Sequence, residues 1–432
     1  MLNKLLLSLS LLFTSTLMAA PVCDHPLSLT ELVDIALENN PETRQAWWSA
    51  QRAAAAVGIA QSAYYPKVSL NTHASHGRDL KFINGPDTNY TLVGSDLVLS
   101  MLLYDFGERC NAVNAAQLAL LSADWQANWA FQRVMVRVLE NAYATLYAQE
   151  ALQAILTTRD EVETLLRTAQ ELNRVGLTPV SDVYTSQATL SQTMMEVAQH
   201  KAMLDIQRAK LAISLGLDAE TPLQLLPIQE LPVVHKQKTA ELIAFAKTQR
   251  ADLMASQARL ASLQAREQQV AASYRPKLSL GARGGADYAF HKKEHGGNYQ
   301  IALRLEIPLF DGFENCYQQR LARADSYLTA EEILQLELNI SLEVLTHSRS
   351  LDAAQEMLGY ADSNLSESMQ AYQGVLEKYK AGKERMAEVS IAQRQLAHAR
   401  LRHSDVKTRL LVAMANLAFS TGTFVPCTEI LP

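Results

Sequence analysis

The sequence contains an internal duplication: residues 41–108 are similar to residues 251–314. The offset between the copies is 210 positions at the first predicted strand and 206 at the end of the second. The difference falls in a loop, where a change in length costs little. A duplication on this scale predicts one structural unit built twice. We expect a first repeat over 21–226 and a second over 227–432, each with a helix, two strands and a long helical hairpin.

Four segments alternate between apolar and polar residues, as strands do, although the second alternates less cleanly because Asp96 shares a face with Val98. They are predicted at about 66–78, 90–103, 276–290 and 298–309. The glycine-rich segment 296–298 indicates the turn before the last strand. A strand that crosses a bilayer carries apolar side chains towards lipid and polar side chains towards a wet lumen. The residues that this pattern predicts to face the lumen include Arg283, Arg304 and Glu306. A soluble amphipathic sheet would show the same alternation.

The N-terminus favours the membrane alternative. Residues 1–20 combine Lys4, an apolar run and small residues before Pro21, which is typical of a secretory signal peptide. Export leads to an oxidising compartment, so Cys23 and Cys427 near the chain ends either form a disulfide or stay free. The net charge of −6 gives no indication of a nucleic-acid partner.

Four strands are too few to close a barrel. Open strand edges in hydrocarbon would leave backbone groups unpaired, at a cost of several kcal/mol each. Three copies of the chain would supply twelve strands, which lies inside the range of known outer-membrane barrels. The strand count therefore predicts a cyclic homotrimer in contact with outer membrane lipid.

Two long stretches, 107–215 and 313–420, are rich in strong helix formers and almost free of proline. Each is interrupted once, at Gly176 and at Gly382, as expected for an antiparallel helical hairpin. At 1.5 Å per residue, one arm would be about 100 Å long, enough to cross a periplasm. An ordinary coiled coil without a conduit is the alternative reading of the helices alone.

Four short motifs carry a resemblance to a known family. They are the opening segment 27–41, Tyr65-Pro66-Lys67, the strand-end segment 103–107 and the hairpin tip 175–178. In order and duplication they resemble the TolC-like outer membrane efflux proteins, also called outer membrane factors. The resemblance covers nearly the whole mature chain. It implies a mostly α protein with a membrane β-barrel portion: a trimeric 12-stranded barrel continued by a periplasmic α-helical barrel.

The same resemblance implies a function and partners. Such proteins lie in the outer membrane, extend into the periplasm, and serve as the exit duct of a tripartite efflux pump or type I secretion system. They dock on a periplasmic adaptor (membrane fusion) protein and an inner-membrane transporter. The hairpin tips that would meet the adaptor are Val175, Gly176, Leu177, Thr178, Ala381, Gly382 and Lys383. The alternative is a trimeric coiled-coil surface or scaffold protein with no conduit.

The family closes its periplasmic end with a gate of inter-helix links and acidic side chains. By resemblance, the gate residues here are Asp182, Tyr379, Glu384 and Glu388. Glu384 stands where many members carry arginine, and Ile391 stands where a second acidic ring would fall. The simpler reading of Asp182, Glu384 and Glu388 is solvated carboxylates at helix starts, where the helix dipole favours them.

The sequence lacks the motifs of common enzymes. It has no nucleophile elbow, phosphate loop, HExxH or paired CxxC motif. Histidines near the strand loops, such as His73 and His76, are better explained by exposure than by metal binding. We therefore expect no enzyme activity, no cofactor and no metal site.

Overall fold

The computed structural model describes residues 25–79, 88–227, 238–290 and 294–423. The helices are α1 (Leu29–Asn39), α2 (Pro41–Ser62), α3 (Glu108–Arg174), α4 (Val180–Ser214), α5 (Thr239–Gln249), α6 (Ala251–Ser273), α7 (Glu314–Lys380) and α8 (Met386–Thr421). The strands are β1 (Lys67–Asp79), β2 (Thr88–Tyr104), β3 (Lys277–Ala289) and β4 (Glu294–Glu306). The expected predominance of helix is confirmed. The signal peptide over 1–20 and the Cys23–Cys427 pair lie outside the described residues.

Helix boundaries follow from local chemistry. Ser28 caps α1 with a capping box, in which its hydroxyl accepts from the Glu31 N–H while the Glu31 carboxylate accepts from the Ser28 N–H. Pro41 opens α2, where its missing N–H is not needed. Gly176 and Gly382 end α3 and α7 with φ of 78° and 69°, a left-handed conformation that favours glycine. Within the described ranges, none of the helices combines the length and apolar character that a bilayer crossing needs.

The four strands form one antiparallel sheet in the order β1-β2-β3-β4. His73 lies opposite Gly94 in the β1–β2 pair, and Asp96 lies opposite Gly285 in the β2–β3 pair. The β2–β3 pair contains an irregularity between Leu102 and Tyr104. Because a bulge inserts one extra residue, it shifts the following side chains to the other face.

The last strand differs from the prediction at both ends. β4 begins at Glu294, so the segment 296–298 lies inside the strand rather than in a turn. Its glycines pair with Ala286 and Asp287, and glycine adopts the extended conformation without strain. At the other end β4 stops at Glu306, before the predicted end at 309, because β3 begins opposite that residue, at Lys277.

The chain divides into two compact units. Within the described ranges, the first is drawn from 1–41, 134–234 and 353–415, and the second from 42–133, 235–352 and 416–432. The first unit has one core where α1 packs on α3 and α4, and another near the hairpin ends. The second unit contains the sheet and a core between α5, α6 and α7. Each unit contains parts of both predicted repeats.

Equivalent contacts recur in the two copies. The Asn40 side chain donates to the Ser214 carbonyl at 2.7 Å, and Arg250, its counterpart, donates to the Ser420 carbonyl at 3.5 Å. Gly216 is left-handed at the end of α4, and a Cβ there would lie 2.5 Å from the Asn39 carbonyl oxygen. The short helices are therefore held against the ends of the hairpins in the same way in both copies.

Arg250 adds an ionic cluster that its counterpart Asn40 cannot form. Its side chain is only 2% exposed and pairs with Asp252 at 2.7 Å and with Glu343. The guanidinium also lies 4.9 Å from the centre of the Trp129 ring. Burial disfavours the charged guanidinium and acts to lower its pKa, but the carboxylates of Asp252 and Glu343 have the larger effect and raise the pKa of Arg250.

Candidate functional site

One face of the sheet is apolar and exposed. Tyr299 is 89% exposed, Ile301 74% and Leu303 67%, and all three point to the same side of β4. The registers place further apolar side chains on this face, namely Val68, Leu70, Val93, Leu97 and Tyr288. A contiguous apolar surface of this kind is typical of a contact with another protein or with a membrane.

The opposite face is polar and carries a network across all four strands. Asp96 is 2% exposed and pairs with Arg283 of the neighbouring strand. His73 Nε2 lies 3.3 Å from Asp287 Oδ1, and the Asn298 amide donates to Asp287 Oδ2 at 3.0 Å. The sequence shows Asp96 only as a break in the alternation of β2, because it shares a face with Val98. In the structure Asp96 is a central member of the polar face.

Two glycines make room for this network. A Cβ at Gly285 would collide with the Asp96 carboxylate and lie 2.5 Å from the Ser95 carbonyl oxygen. A Cβ at Gly94 would in the same way collide with the Asp287 carboxylate. Each aspartate therefore lies flat over a glycine of the adjacent strand. A strand glycine facing an aspartate is a signal that could have identified the pair from the sequence.

The residues predicted to face a lumen all lie on the polar face. Arg283 is bound to Asp96 there, Arg304 is opposite Ser279, and Glu306 is opposite Lys277. Arg304 and Glu306 are exposed in the single chain. Positive and negative groups alternate on this face, so it carries no strong excess of either sign.

The sheet is tied to the first turn of α3. The Asp105 carboxylate accepts from the Arg109 N–H at 2.8 Å and so caps the helix. Arg109 is 8% exposed and donates to the carbonyls of Leu102 at 2.7 Å and Leu103 at 3.2 Å. In the second copy the Asp311 carboxylate accepts from the Asn315 N–H at 2.9 Å.

Each strand-to-helix corner contains two consecutive left-handed residues. The first corner is Phe106 and Gly107, with φ of 53° and 103°. The second is Gly312 and Phe313, both with φ of 69°. A left-handed phenylalanine costs about 1–2 kcal/mol. Both phenylalanines are exposed and pack edge-to-face on a neighbouring ring.

The helical hairpins of the first unit bring Asp182 and Tyr379 together. Tyr379 is fully buried in a core that also contains Met386 and Val389. Burial first, and the nearby charge of Asp182 second, raise the pKa of Tyr379 to about 12. Among the described residues, the buried Tyr379 and Thr178 hydroxyls have no hydrogen-bond partner. The link between the hairpins at this point is therefore close packing around a neutral tyrosine.

The other two predicted gate residues are less enclosed. Glu384 is half-buried between α7 and α8, and its carboxylate accepts from the Arg385 N–H at 3.3 Å. Glu388 is exposed in the first turn of α8.

Both hairpin tips have the same backbone hydrogen bonds. The Leu177 N–H donates to the Leu172 carbonyl at 2.9 Å, and the Lys383 N–H donates to the Lys378 carbonyl at 2.9 Å. These bonds close a Schellman motif around each glycine. The exposed members of the predicted docking set are Val175, Gly176, Leu177, Ala381, Gly382 and Lys383, while Thr178 is half-buried.

A groove near the hairpin ends was not predicted from the sequence. It encloses about 350 Å³. Its lining is Thr157, Asp160, Glu161, Thr164, Leu165, Thr168, Tyr372, Leu376 and Lys380. Arg400 holds Glu161 by two hydrogen bonds of 3.0 and 2.7 Å, and burial together with Glu161 raises the pKa of Tyr372 to about 12.

Possible ligands for metals are dispersed in the described part of the chain. No group of three or more histidine, cysteine, aspartate or glutamate side chains there could hold a metal ion. Cys110 and Cys316 are exposed and unbonded.

Comparisons with known proteins agree with this arrangement. A family model described as outer membrane efflux protein matches residues 32–217 and 242–423. The chain is 28% identical to protein CyaE of Bordetella pertussis over 397 residues, covering 90% of this chain and 83% of that protein. It is 25% identical to the pyoverdine export outer membrane protein OpmQ of Pseudomonas putida over 421 residues, covering 91% and 85%.

The fold is similar to that of solved channels. The outer membrane channel CmeC of Campylobacter jejuni aligns with a TM-score of 0.81, covering 93% of this chain and 87% of that chain. The sequence identity is 16%, so this likeness concerns the fold alone.

Proposed function

Because this chain belongs to the outer membrane efflux protein family, we propose that it is the exit duct of a tripartite efflux pump or a type I secretion system. The observation that carries the proposal is the sheet with an exposed apolar face and a polar face. Such a sheet fits lipid on one side and a wet lumen on the other. Its place is the outer membrane, with the helices extending into the periplasm.

The duct is a homotrimer in this proposal. Three four-stranded sheets form a 12-stranded barrel, which removes the open edges that hydrocarbon does not tolerate. The helices of three chains continue it as a periplasmic α-helical barrel. Each chain supplies two copies of one unit, over 21–226 and 227–432, after a signal peptide over 1–20. Arg283, Arg304 and Glu306 line the lumen.

The partners are a periplasmic adaptor (membrane fusion) protein and an inner-membrane transporter. The docking tips are 175–178 and 381–383, and their exposure supports this assignment. Their Schellman motifs support it further, since a tip of fixed shape loses little entropy when it binds.

The periplasmic gate is formed by Asp182, Tyr379, Glu384 and Glu388. The proximity of Asp182 to the buried Tyr379 supports a closed state held by packing between the hairpins. Three copies of these carboxylates around one axis would favour cations in a narrow opening. A duct of this kind needs no catalytic residue and no cofactor.

Conductance of the purified protein in a planar lipid bilayer tests the function. A duct gives discrete single-channel steps, whereas a coiled-coil scaffold without a conduit gives none. Asp182→Ala combined with Tyr379→Phe is expected to increase the conductance of the closed state. Asp160→Ala, which removes a carboxylate from the groove on α3, is the matched control and should leave it unchanged.

A further inference from the structure

A histidine on the polar face of the sheet faces two carboxylates from different strands. His73 of β1 lies opposite Gly94 of β2, and Asp287 of β3 lies opposite the same glycine on its other side. His73 Nε2 lies 3.3 Å from Asp287 Oδ1, and His73 Nδ1 lies 3.8 Å from Asp96 Oδ2. Each nitrogen of the imidazole ring therefore faces a different carboxylate.

The glycine between them makes the contact possible. Two strands on either side of a third are about 9.5 Å apart, so His73 and Asp287 can meet only above a position of β2 that has no side chain. A Cβ at Gly94 would collide with Asp287 Oδ1, which occupies that space. Because β1 belongs to the first predicted repeat and β3 to the second, this contact joins the two repeats.

Both carboxylates have an oxygen without a hydrogen-bond donor. Asp287 Oδ2 accepts from the Asn298 amide at 3.0 Å, but within the described ranges Asp287 Oδ1 is buried and has no hydrogen-bond partner. Asp96 is 2% exposed, and its Oδ1 is also buried without a partner there, while its Oδ2 binds Arg283. A buried carboxylate oxygen without a donor is unfavourable. A positive charge on His73 would reduce this cost.

The protonation state of the ring decides how many of its contacts are favourable. A neutral imidazole donates from one nitrogen and accepts at the other, whereas the protonated ring donates from both. In the neutral ring, the accepting nitrogen would face a carboxylate oxygen. Only the protonated ring therefore matches Asp96 and Asp287 at the same time.

We propose that His73 is a proton-binding site in the wall of the lumen and changes the charge of that wall with pH. Histidine is the side chain whose charge ordinarily changes between about pH 5 and 8. With a neutral ring, two carboxylates face the single guanidinium of Arg283, so the cluster carries a net negative charge. With a protonated ring, the charges balance. The inference rests on the proposed duct, in which the polar face lines the lumen.

The other groups around His73 do not change their charge in this way. Its neighbours on the same face of β1, Asn71 and Ser75, are uncharged, and so is Asn298 of β4. In the proposed barrel β1 also borders another copy of β4, whose charged residues include Arg304 and Glu306. Side chains of these two types ordinarily keep their charge between pH 5 and 8. A change of charge in this range is therefore assigned to the histidine.

His76, three residues further along β1, provides a contrast. It points to the apolar face, where its Nδ1 lies 2.8 Å from the Thr91 hydroxyl oxygen. The His73 side chain is 38% exposed on the polar face, so water on that side reaches it. The two histidines lie on one strand and differ in the face that they occupy and in the charge of their partners.

Ion selectivity of single channels tests the inference. The reversal potential under a salt gradient is measured in a planar lipid bilayer at pH 8 and at pH 5. We expect the preference for cations over anions to decrease at pH 5, because each cluster of the trimer loses one net negative charge. His73→Gln should lose most of this change, and His76→Gln, the matched control, should retain it.

A second variant imitates the protonated state. His73→Lys carries a positive charge at both pH values, so at pH 8 it should already show the lower cation preference that the unsubstituted protein shows at pH 5. It should change little between the two pH values. This result does not depend on how well the glutamine variant folds.

The outcomes separate this inference from the proposed function. Loss of the pH effect in His73→Gln or His73→Lys, with its retention in His76→Gln, supports the proton site. The absence of a pH effect in the unsubstituted protein, or an equal effect in all variants, overturns the site and leaves the duct intact, because the channels still conduct. A protein that gives no single-channel steps at either pH overturns both.

Discussion

Gly285→Ala should destabilise the sheet far more than the same change at a neighbouring glycine of the same face. The new Cβ would collide with the Asp96 carboxylate and would lie 2.5 Å from the Ser95 carbonyl oxygen. The matched control is Gly281→Ala, on the same strand, where nothing lies within 4 Å of the new Cβ.

The magnitude follows from two contributions. Overpacking costs about 1–3 kcal/mol, and the upper part applies because Ser95 contributes backbone that cannot rotate away. Displacing Asp96 also separates it from Arg283, but that side chain is 51% exposed and solvent screens the pair, so this contribution is minor. Gly285→Ala should thus lower the free energy of unfolding by about 2–3 kcal/mol. Gly281→Ala should be neutral or raise it by about 0.4–1 kcal/mol.

The assay is denaturant unfolding of the protein in detergent micelles, followed by circular dichroism. Adding Asp96→Gly to Gly285→Ala should restore only part of the loss, because the Ser95 carbonyl remains in place. Equal effects of the Gly285 and Gly281 substitutions would refute the packing of aspartate over glycine.

Three further predictions concern the helices. Tyr372 and Tyr379 both have a pKa raised to about 12, so the folded state holds their protons more tightly than the unfolded state. The free energy of unfolding should be unaffected at neutral pH and fall by about 1.4 kcal/mol per pH unit for each tyrosine between roughly pH 10 and 12. If the protein with both tyrosines changed to Phe shows the same slope of unfolding free energy against pH, the prediction is wrong. Arg250→Met should cost about 2–3 kcal/mol in thermal or denaturant unfolding, because it leaves Asp252 and Glu343 without their cation. The exposed Arg323→Met should cost clearly less, because solvent screens its pair with Glu267, and similar losses would argue against a special role for Arg250. Gly176→Ala should lower the free energy of unfolding by about 1–2 kcal/mol, because the φ of this residue is 78°. The control is Gly58→Ala, at a helical position with nothing near the new Cβ, which should stabilise the protein by about 1 kcal/mol. A stabilising Gly176→Ala would contradict the left-handed cap.

Features set by local chemistry could be predicted from the sequence. The capping box at Ser28 needs only residues three apart, and it is present. The interruptions at Gly176 and Gly382 mark left-handed caps, because few other residues adopt that conformation. The alternation in β4 places Ile301 and Arg304 on opposite faces because the period of a strand is two.

Features set by a neighbouring strand or helix could not be predicted in this way. The ends of β4 depend on where β3 begins, whereas the glycines at 296 and 297 gave a local signal for a turn. Read in the sequence, Asp96 only interrupts the alternation of β2, because its partner Arg283 lies far away along the chain. Arg250 and the groove around Glu161 depend on helices that meet only after folding.

The corners between strand and helix have a consequence for how the two halves of the gene product can diverge. Each corner needs two residues with positive φ, and each has one glycine, placed second in the first half and first in the second half. Either order builds the corner, and the other place bears an aromatic ring at the cost of one strained residue. The shape of the corner is therefore compatible with glycine at either of its two positions, and each corner has one. Duplicated segments can exchange these two residues and keep the same bend, so sequence drift at this point leaves the chain path unaltered.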